Sequence, residues 1–442
     1  MRFVALVLLI LAIPLIHGWM AGNVQRQRWV WRAIGFLPFA ISWLHLDASF
    51  ISWAYWPGYV KGLVFSLLDA AALATLLTLR GDRMSKPFTV FVAFYVGAAA
   101  LSIAVSDVKM AAVFFVWQLT RMLLLLLAVR RIAVQPGGVT ALLQGLMAGA
   151  VLQASYSVME RLHGVAQASG TMGHQNLLGM ALHFTIYPSL AMLLAGRRDK
   201  LTIAGFVASL IGIVLTGSRG TIGIAAGGIV LLILLSIMRR PTGRKSAIAG
   251  AGIAAMLIVS PVAWSGLSKR LSAQSIASSD EERQAFKRAA WLMVADHPFG
   301  VGANQYVMVA NTGGYSERAG VIWNYTSRSA NVHQTYLLMM AELGYIGAFA
   351  FLLLMIAPPI IALREAWRAR RDPSGEIILG FAVAIGAVAV HCMFEWIYVY
   401  AGPQYLHAIA LGILGALIAQ QRAPKRRRKQ KSIHPTALGL AS

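Results

Sequence analysis

Long apolar runs separated by short polar stretches make up most of the chain between residues 3 and 420. Several of these runs reach about 20 residues, the length that an α-helix needs to cross the hydrocarbon core of a bilayer. The runs are apolar on every side and do not alternate, so they predict helices and not the strands of a barrel. The pattern therefore predicts an all-α, polytopic integral membrane helix bundle of about 12–13 spans.

One long polar stretch interrupts this pattern late in the chain. The predicted parts are residues 1–266 as the first part of the membrane bundle, 267–333 as a large outer loop with an amphipathic helix, 334–420 as the last part of the bundle and 421–442 as a basic tail. Among the spans, we expect one over residues 30–47 and one over residues 246–266. Residues 1–21 resemble a signal peptide only loosely, so we expect them to be retained as the first span.

The charge of the chain follows the same division. Lys and Arg number 39 against 16 Asp and Glu, which gives a formal net charge of +23. In a soluble protein this excess would suggest a nucleic acid partner. Here the basic residues fall in every second short loop, which is how membrane proteins keep Lys and Arg in the cytoplasm. The pattern therefore predicts membrane lipids and no nucleic acid as partners, with the tail from Lys425 to Lys431 held on anionic lipid.

The long loop then faces outward, away from the basic loops on either side of it. Ser279 and Glu282 form a capping-box pattern, which predicts a helix from about residue 280 to residue 295 that ends before Pro298. Its apolar side comprises Phe286, Ala289, Ala290 and Met293, and its basic residues are Arg283, Lys287 and Arg288. We expect this helix to lie on the outer surface of the bundle.

Arginines and histidines in the outward loops run against the positive-inside bias and require an explanation. They are Arg161, His163, His174, Arg219, Arg270, Arg283, Arg288, His297, Arg318, Arg328 and His333. His333 precedes a span at the membrane interface, where a histidine can accept a proton near neutral pH or simply cap the helix. Arg219 follows the turn at Gly217 and Ser218, where a guanidinium can bind a phosphate with two hydrogen bonds or extend to lipid headgroups.

Other polar residues lie inside the predicted spans or at their ends. Asp69 and Arg121 are near the middle of the membrane, where a charge needs a partner, and we expect them to pair. His391 and Glu395 are one helical turn apart near the outer end of a span, and they either line a cavity or form a buried pair. The single cysteine, Cys392, excludes an intramolecular disulfide and a cysteine-based metal site.

Four motifs in order resemble those of the O-antigen ligase and O-antigen polymerase superfamily of bacterial envelope glycosyltransferases. They are Gly170-Thr171-Met-Gly-His174-Gln-Asn176-Leu-Leu-Gly, Thr216-Gly-Ser218-Arg219-Gly220, His297-Pro298-Phe-Gly300-Val-Gly302, and His333-Gln-Thr-Tyr336-Leu with Glu342-Leu-Gly344-Tyr-Ile-Gly347. Each motif is weak alone, but their order, spacing and predicted side of the membrane make the set strong. The N-terminal third resembles the family only as a series of spans.

The resemblance implies a metal-independent transferase without a cofactor, in the lipopolysaccharide pathway of the bacterial inner membrane. Its donor would be a glycan on undecaprenyl diphosphate, and its acceptor lipid A–core or a growing polysaccharide, at the periplasmic face. By resemblance, His333 is the catalytic base and Arg219 binds the diphosphate; Arg288 best matches a second catalytic arginine, with Arg283 next. The other expected substrate-binding residues are His174, Asn176 and Tyr336.

The sequence leaves several functions open. A ligase and a polymerase would share these motifs, as would an exopolysaccharide polymerase or a protein-glycosylating relative. A transporter or lipid flippase would instead use Asp69, Arg121 and His391 as a pathway near the middle of the membrane. The polar residues gather at one face beneath a loop, which favours an enzyme over a transporter and, more weakly, over a scaffold.

Overall fold

The computed structural model describes residues 2–79, 88–252 and 275–422, and this part of the chain is an all-α polytopic membrane bundle. The helices are α1 (Arg2–Met20), α2 (Val24–Phe36), α3 (Leu67–Thr78), α4 (Thr89–Leu101), α5 (Lys109–Ala133), α6 (Gly138–Leu162), α7 (Gln175–Ala195), α8 (Lys200–Leu215), α9 (Arg219–Arg239), α10 (Ser275–Asp296), α11 (Tyr306–Thr312), α12 (Tyr315–Arg318), α13 (Tyr325–Arg328), α14 (Thr335–Arg368), α15 (Ser374–His391) and α16 (Ala401–Arg422). Residues 243–252 are also helical.

Eight helices of the described chain are long and apolar enough to cross a membrane. They are α1, α5, α6, α7, α9, α14, α15 and α16. Three shorter apolar helices, α3, α4 and α8, accompany them. Most of the span expected over residues 246–266 lies outside the described residues, as do Arg270 and the tail from Lys425 to Lys431.

The span expected over residues 30–47 is wrong. Helix α2 ends at Phe36, and a short 3-10 turn containing Pro38 follows it. Proline lacks a backbone N–H, so Pro38 cannot continue the i to i−4 hydrogen bonds of the helix. Only one side of α2 is buried, and it packs closely on α6: a Cβ on Gly35 would lie 2.3 Å from the carbonyl oxygen of Leu142.

A two-stranded hairpin follows where the sequence predicts only a span and a loop. Strand β1 (Asp47–Ser52) pairs antiparallel with β2 (Gly62–Ser66), with an irregular register between Ser49 and Ser52. The indole N–H of Trp117 on α5 donates to the carbonyl of Val64 at 2.6 Å, which fixes the hairpin to the bundle.

Helix α7 is the most deeply buried span and packs between α8, α9 and α15. Small residues allow the close approach, as is common between membrane helices. A Cβ on Gly380 of α15 would lie 2.6 Å from the Cβ of Ala191, and one on Gly179 would lie 2.2 Å from Cγ2 of Thr221 on α9. The N-terminus of α7 is therefore held firmly against α9.

The predicted helix in the large loop is confirmed as α10, but its predicted start is wrong. The helix begins at Ser275, so Ser279 is not its N-cap. Glu282 instead accepts a hydrogen bond from the hydroxyl of Ser327. The apolar side, with Phe286, Ala290 and Met293, is buried against the protein.

The His-Pro-Phe-Gly-Val-Gly segment docks onto an open turn of α14. Gly344 has a φ of 66°, which interrupts the helix and frees carbonyls that accept from the N–H groups of Val301 and Gly302. A Cβ on Gly300 would lie 2.3 Å from the carbonyl oxygen of Glu342, so the backbones touch. This contact ties the His-Pro-Phe-Gly-Val-Gly segment to the first half of α14.

The side chain of Glu342 completes this junction. Its carboxylate accepts the backbone N–H groups of Asn304 and Tyr306, each at 2.9 Å, and the hydroxyl of Tyr59 at 2.5 Å. Asn304 in turn donates to the carbonyl of Val60 at 2.7 Å. The large loop, the hairpin and α14 therefore meet at one buried carboxylate.

The basic loops gather at the opposite end of the bundle. Arg130 on α5 donates to Thr89 at the start of α4, and Arg239 at the end of α9 pairs with Glu376 at the start of α15. Arg422 at the end of α16 pairs with Glu365 near the end of α14. The described basic loops thus share one end, as the charge pattern predicts, and the large loop covers the other.

Candidate active site

Glu395 joins three distant segments at the loop-covered end of the bundle. It lies just after α15 and is largely buried. Its carboxylate accepts from the side-chain amide of Asn176 at 2.7 Å and lies 3.3 Å from Nδ1 of His333. The guanidinium of Arg283 lies 3.5 Å from the same carboxylate. Helix α7, helix α10 and the segment before α14 therefore converge on one side chain.

The backbone around Glu395 and His333 is also tied together. The hydroxyl of Thr335 donates to the carbonyl of Glu395 at 2.7 Å, and the N–H of Thr335 donates to the carbonyl of Cys392 at 2.9 Å. The ring of Phe286 on α10 lies 5.9 Å from the ring of His333 between centroids. These contacts limit how far the imidazole and the carboxylate can separate.

The surrounding charges set the protonation of Glu395. Burial acts to raise the pKa of its carboxyl, but the hydrogen bond from His333 and the positive charges nearby outweigh burial, so the pKa lies below its ordinary value. The groups that act most strongly in this way are His333 and Arg283. Glu395 is therefore an anion at neutral pH.

His333 leaves its other ring nitrogen, Nε2, without a partner among the described residues. Its side chain is 27% exposed, and its Nε2 makes no hydrogen bond with any residue that the structure describes. A neutral imidazole with a free Nε2 can accept a proton from a ligand in this position. The arrangement therefore permits base chemistry at His333.

His174 and Asn176 lie together at the start of α7. Nδ1 of His174 accepts the N–H of Asn176 at 3.2 Å and so caps the helix. Burial lowers the pKa of His174 and outweighs the opposing negative charge of Glu395. His174 is therefore a neutral neighbour of the cluster. Asn176 contributes by holding Glu395.

The glycine-rich part of the same motif is structural. The carboxylate of Glu160 accepts the N–H groups of Ser169 and Gly170 at 2.9 and 2.7 Å. The side-chain amide of Gln153 binds both Thr171 and the carbonyl of Phe39. Ser169, Gly170 and Thr171 are therefore engaged within the protein, and the residues of this motif that belong to the cluster are His174 and Asn176.

Arg219 begins α9 and is exposed at the same end of the bundle. Ser218 caps the helix, and Gly217 has a φ of 60° that allows the tight turn before it. Thr221, two residues later, touches Gly179 on α7, one helical turn after Asn176. Within the described residues, Arg219 has neither a hydrogen bond nor an ion pair, so its guanidinium is free to bind a ligand.

Two expected site residues are engaged elsewhere. Arg288 lies on another side of α10 and donates to the carbonyl of Ala319 at 3.0 Å. The hydroxyl of Tyr336 donates to the carbonyl of Ala389 on α15 at 3.0 Å. The structure thus brings Arg283, and not Arg288, to the Glu395 carboxylate that His333 also contacts, because α10 turns Arg283 and Phe286 to the same side.

Glu395 is not among the site residues that the sequence predicts. The available signal was its position one turn from His391 at the outer end of a span, but that pairing did not include His333. His391 itself points into the bundle, where its ring lies 5.5 Å from that of His183. Within the described part of the chain, no group of three or more His, Cys, Asp or Glu side chains could hold a metal ion.

The comparison with protein families gives one match that covers part of this architecture. Residues 204–352 match the family described as O-antigen ligase. This region runs from α8 through α9, α10 and the large loop to the first half of α14, and it contains Arg219, Arg283 and His333. The comparison with curated proteins gives no match. The match supports the resemblance of this region to the O-antigen ligase and O-antigen polymerase superfamily.

Proposed function

We propose that the protein transfers a glycan from an undecaprenyl diphosphate-linked donor to an acceptor hydroxyl, as an O-antigen ligase with lipid A–core as acceptor. The superfamily supports an enzyme acting on lipid-linked glycans. The observation that carries the proposal is the position of His333, which keeps Nε2 open while Arg283 contacts the same Glu395 carboxylate and Arg219 stands free at the same end of the bundle.

The proposed reaction is a displacement at the anomeric carbon of the donor. Nε2 of His333 removes the proton from the acceptor hydroxyl as its oxygen bonds to the anomeric carbon. The bond from that carbon to the lipid diphosphate breaks, and the diphosphate leaves with the electron pair. General base catalysis of this kind typically contributes about 10²–10⁴ in rate.

The leaving diphosphate needs positive charge. Arg219 and Arg283 are the described arginines best placed to supply it, because one is unpaired and the other is 41% exposed beside the cluster. A guanidinium can meet two phosphate oxygens at once and stays protonated when partly desolvated. Such preorganised donors stabilise charge that develops in the transition state.

The buried pair of Asp69 and Arg121 favours an enzyme over a transporter. Asp69 and Arg121 form the expected buried pair at 2.8 Å. Ser66 caps α3, and its hydroxyl contacts both members of the pair. The pair is thus satisfied within the protein. The open polar residues lie at the loop-covered end, where an enzyme handling a glycan outside the membrane would need them.

Glycan analysis of a deletion strain tests the proposed acceptor. A ligase deletion should leave lipid A–core uncapped while the lipid-linked polymer accumulates. Accumulation of single repeats would instead indicate a polymerase of the same superfamily. Unchanged envelope glycans would contradict both functions.

Reconstitution tests the chemistry directly. Purified protein in proteoliposomes should move glycan from an undecaprenyl diphosphate-linked donor to lipid A–core, with release of undecaprenyl diphosphate. Transfer to a second lipid-linked glycan alone would favour the polymerase, and no transfer to either acceptor would contradict the proposal.

A further inference from the structure

We infer that Glu395 is a positioning residue that sets the tautomer of His333, so that Nδ1 carries the proton and Nε2 faces the acceptor as a base. This inference rests on the proposed function. It assigns a role to a residue that lies 62 positions from the histidine and outside the matched region 204–352.

The contact between Glu395 and His333 determines which ring nitrogen of the histidine carries the proton. An ionised carboxylate can only accept hydrogen bonds, so the ring nitrogen that faces it must be the donor. Nδ1 of His333 is that nitrogen, at 3.3 Å from Oε2 of Glu395. The other nitrogen, Nε2, is then the one that holds a lone pair in the neutral ring.

The proposed reaction also places a positive charge on the imidazole ring of His333. When Nε2 accepts a proton, the ring becomes a cation beside the Glu395 carboxylate. The anion stabilises this cation more than it stabilises the neutral ring, so it favours the proton transfer. The carboxylate of a Ser-His-Asp triad acts on its histidine in the same way.

Glu395 is itself held in place by neighbouring residues. Oε1 accepts from Asn176 at 2.7 Å, so Oε2 is left for His333. The backbone carbonyl of Glu395 is bound by Thr335, two residues after His333, at 2.7 Å. The carboxylate and the imidazole are therefore fixed to each other through two separate contacts, which is what orienting a base requires.

Three other charged or titratable groups surround Glu395 and His333. They are Arg283 on α10, His174 at the start of α7 and His391 at the end of α15. None of the three is an anion, so removal of Glu395 leaves the imidazole among groups that are neutral or positive.

The test compares wild type with Glu395→Gln in the reconstituted transfer assay across pH. Gln can present its amide N–H₂ to Nδ1 and so impose the wrong tautomer, and it carries no charge. We expect the turnover rate to fall by at least about 10²-fold, since the matching change in a triad costs about 10⁴-fold. We also expect the acid limb of the pH–rate profile to move to lower pH, because the protonated ring loses its counter-charge.

Two further variants separate the roles of charge and geometry. Glu395→Asp keeps the charge on a shorter side chain, so it should lower the rate but leave the acid limb closer to that of wild type than Glu395→Gln does. Glu365→Gln removes a carboxylate from an ion pair at the other end of the bundle and serves as the control with near-normal transfer.

The outcomes distinguish this inference from the proposed function. If wild type transfers glycan and Glu395→Gln matches its rate and pH profile, the inference is overturned and the function stands. If wild type transfers nothing, both fail. Nitrogen-15 NMR of labelled histidine gives a readout that does not depend on turnover. The His333 resonances of wild type are assigned by their absence in His333→Gln, and they should show a proton on Nδ1. A proton on Nε2 alone overturns the inference even where activity falls.

Discussion

Two glutamates at opposite ends of α15 show how similar clusters of charge can serve different purposes. Glu376 lies at the end that carries the basic loops, here called the inner end. It contacts Arg239 at 2.5 Å and Lys245 at 2.6 Å, and all three side chains are 2–3% exposed. Glu395 lies just beyond the end that the large loop covers, here called the outer end. It contacts Arg283 and His333 at 3.5 and 3.3 Å, and those two side chains are 41% and 27% exposed.

The two clusters differ in whether the donors of their basic side chains are already hydrogen-bonded within the protein. Arg239 also donates to the carbonyl of Ala369 at 2.8 Å, and Lys245 donates to the carbonyl of Ser236 at 2.8 Å. The inner cluster is therefore closed, and it ties α9 to α14 and α15. The outer cluster has long contacts and exposed partners, so a ligand can join it. Closed contacts indicate a structural role, and open ones indicate a binding role.

Glu376→Ala should have the largest effect on folding. It leaves Arg239 and Lys245 buried without their anion, and breaking such a pair costs about 3–5 kcal/mol. Thermal unfolding in detergent should show a much lower midpoint than wild type. Glu395→Ala should lose less stability, because water can reach Arg283 and His333. Equal midpoints for the two variants would remove the contrast between the clusters.

Arg219→Lys should come next, in catalysis and not in folding. Lysine supplies a positive charge for lipid headgroups but not the planar fork that meets two phosphate oxygens. We expect a loss of about 2–3 kcal/mol of transition-state stabilisation, on the scale of one preorganised donor. The assay is initial rate against donor concentration. Near-normal rates at every concentration would return Arg219 to an anchoring role.

Arg283 and Arg288 offer a matched pair on one helix. Arg283→Gln should lower the transfer rate by about tenfold or more, on the scale of a hydrogen bond to a charged group. Arg288→Gln should change the rate by less than about twofold, because its guanidinium binds Ala319 away from the cluster. The reverse order in initial-rate measurements would support the assignment from resemblance, which prefers Arg288.

Chelation should have the smallest effect. If arginines alone neutralise the leaving diphosphate, EDTA should not change transfer by the purified protein. Inhibition that Mg²⁺ or Mn²⁺ reverses would show that the outer cluster needs a metal.

The sequence predicts most of the long apolar helices and the end of the bundle at which the described basic loops gather, because both follow from local hydropathy and loop charge. It also predicts the pairing of Asp69 with Arg121, since a buried charge needs a partner. It does not predict the hairpin at Asp47, because its pairing depends on contacts with α5. It misplaces the end of α2, where Pro38 stops an otherwise apolar run.

The site is only partly predictable for a related reason. His333 and Arg219 are recognisable from their motifs, whereas the choice of Arg283 over Arg288 depends on how α10 is rotated about its axis. Glu395 requires knowledge that the end of α15 meets both α7 and the start of α14. Such contacts between distant segments leave no local pattern in the chain.

Initial rates for His333→Gln test the central claim most directly. Glutamine keeps much of the size and a hydrogen bond but cannot act as a base near neutral pH. The account predicts a variant that accumulates and unfolds like wild type but transfers glycan about 10²–10⁴ times more slowly at saturating donor and acceptor. Transfer at the wild-type rate would make His333 structural and contradict the assignment of the outer cluster as the catalytic centre.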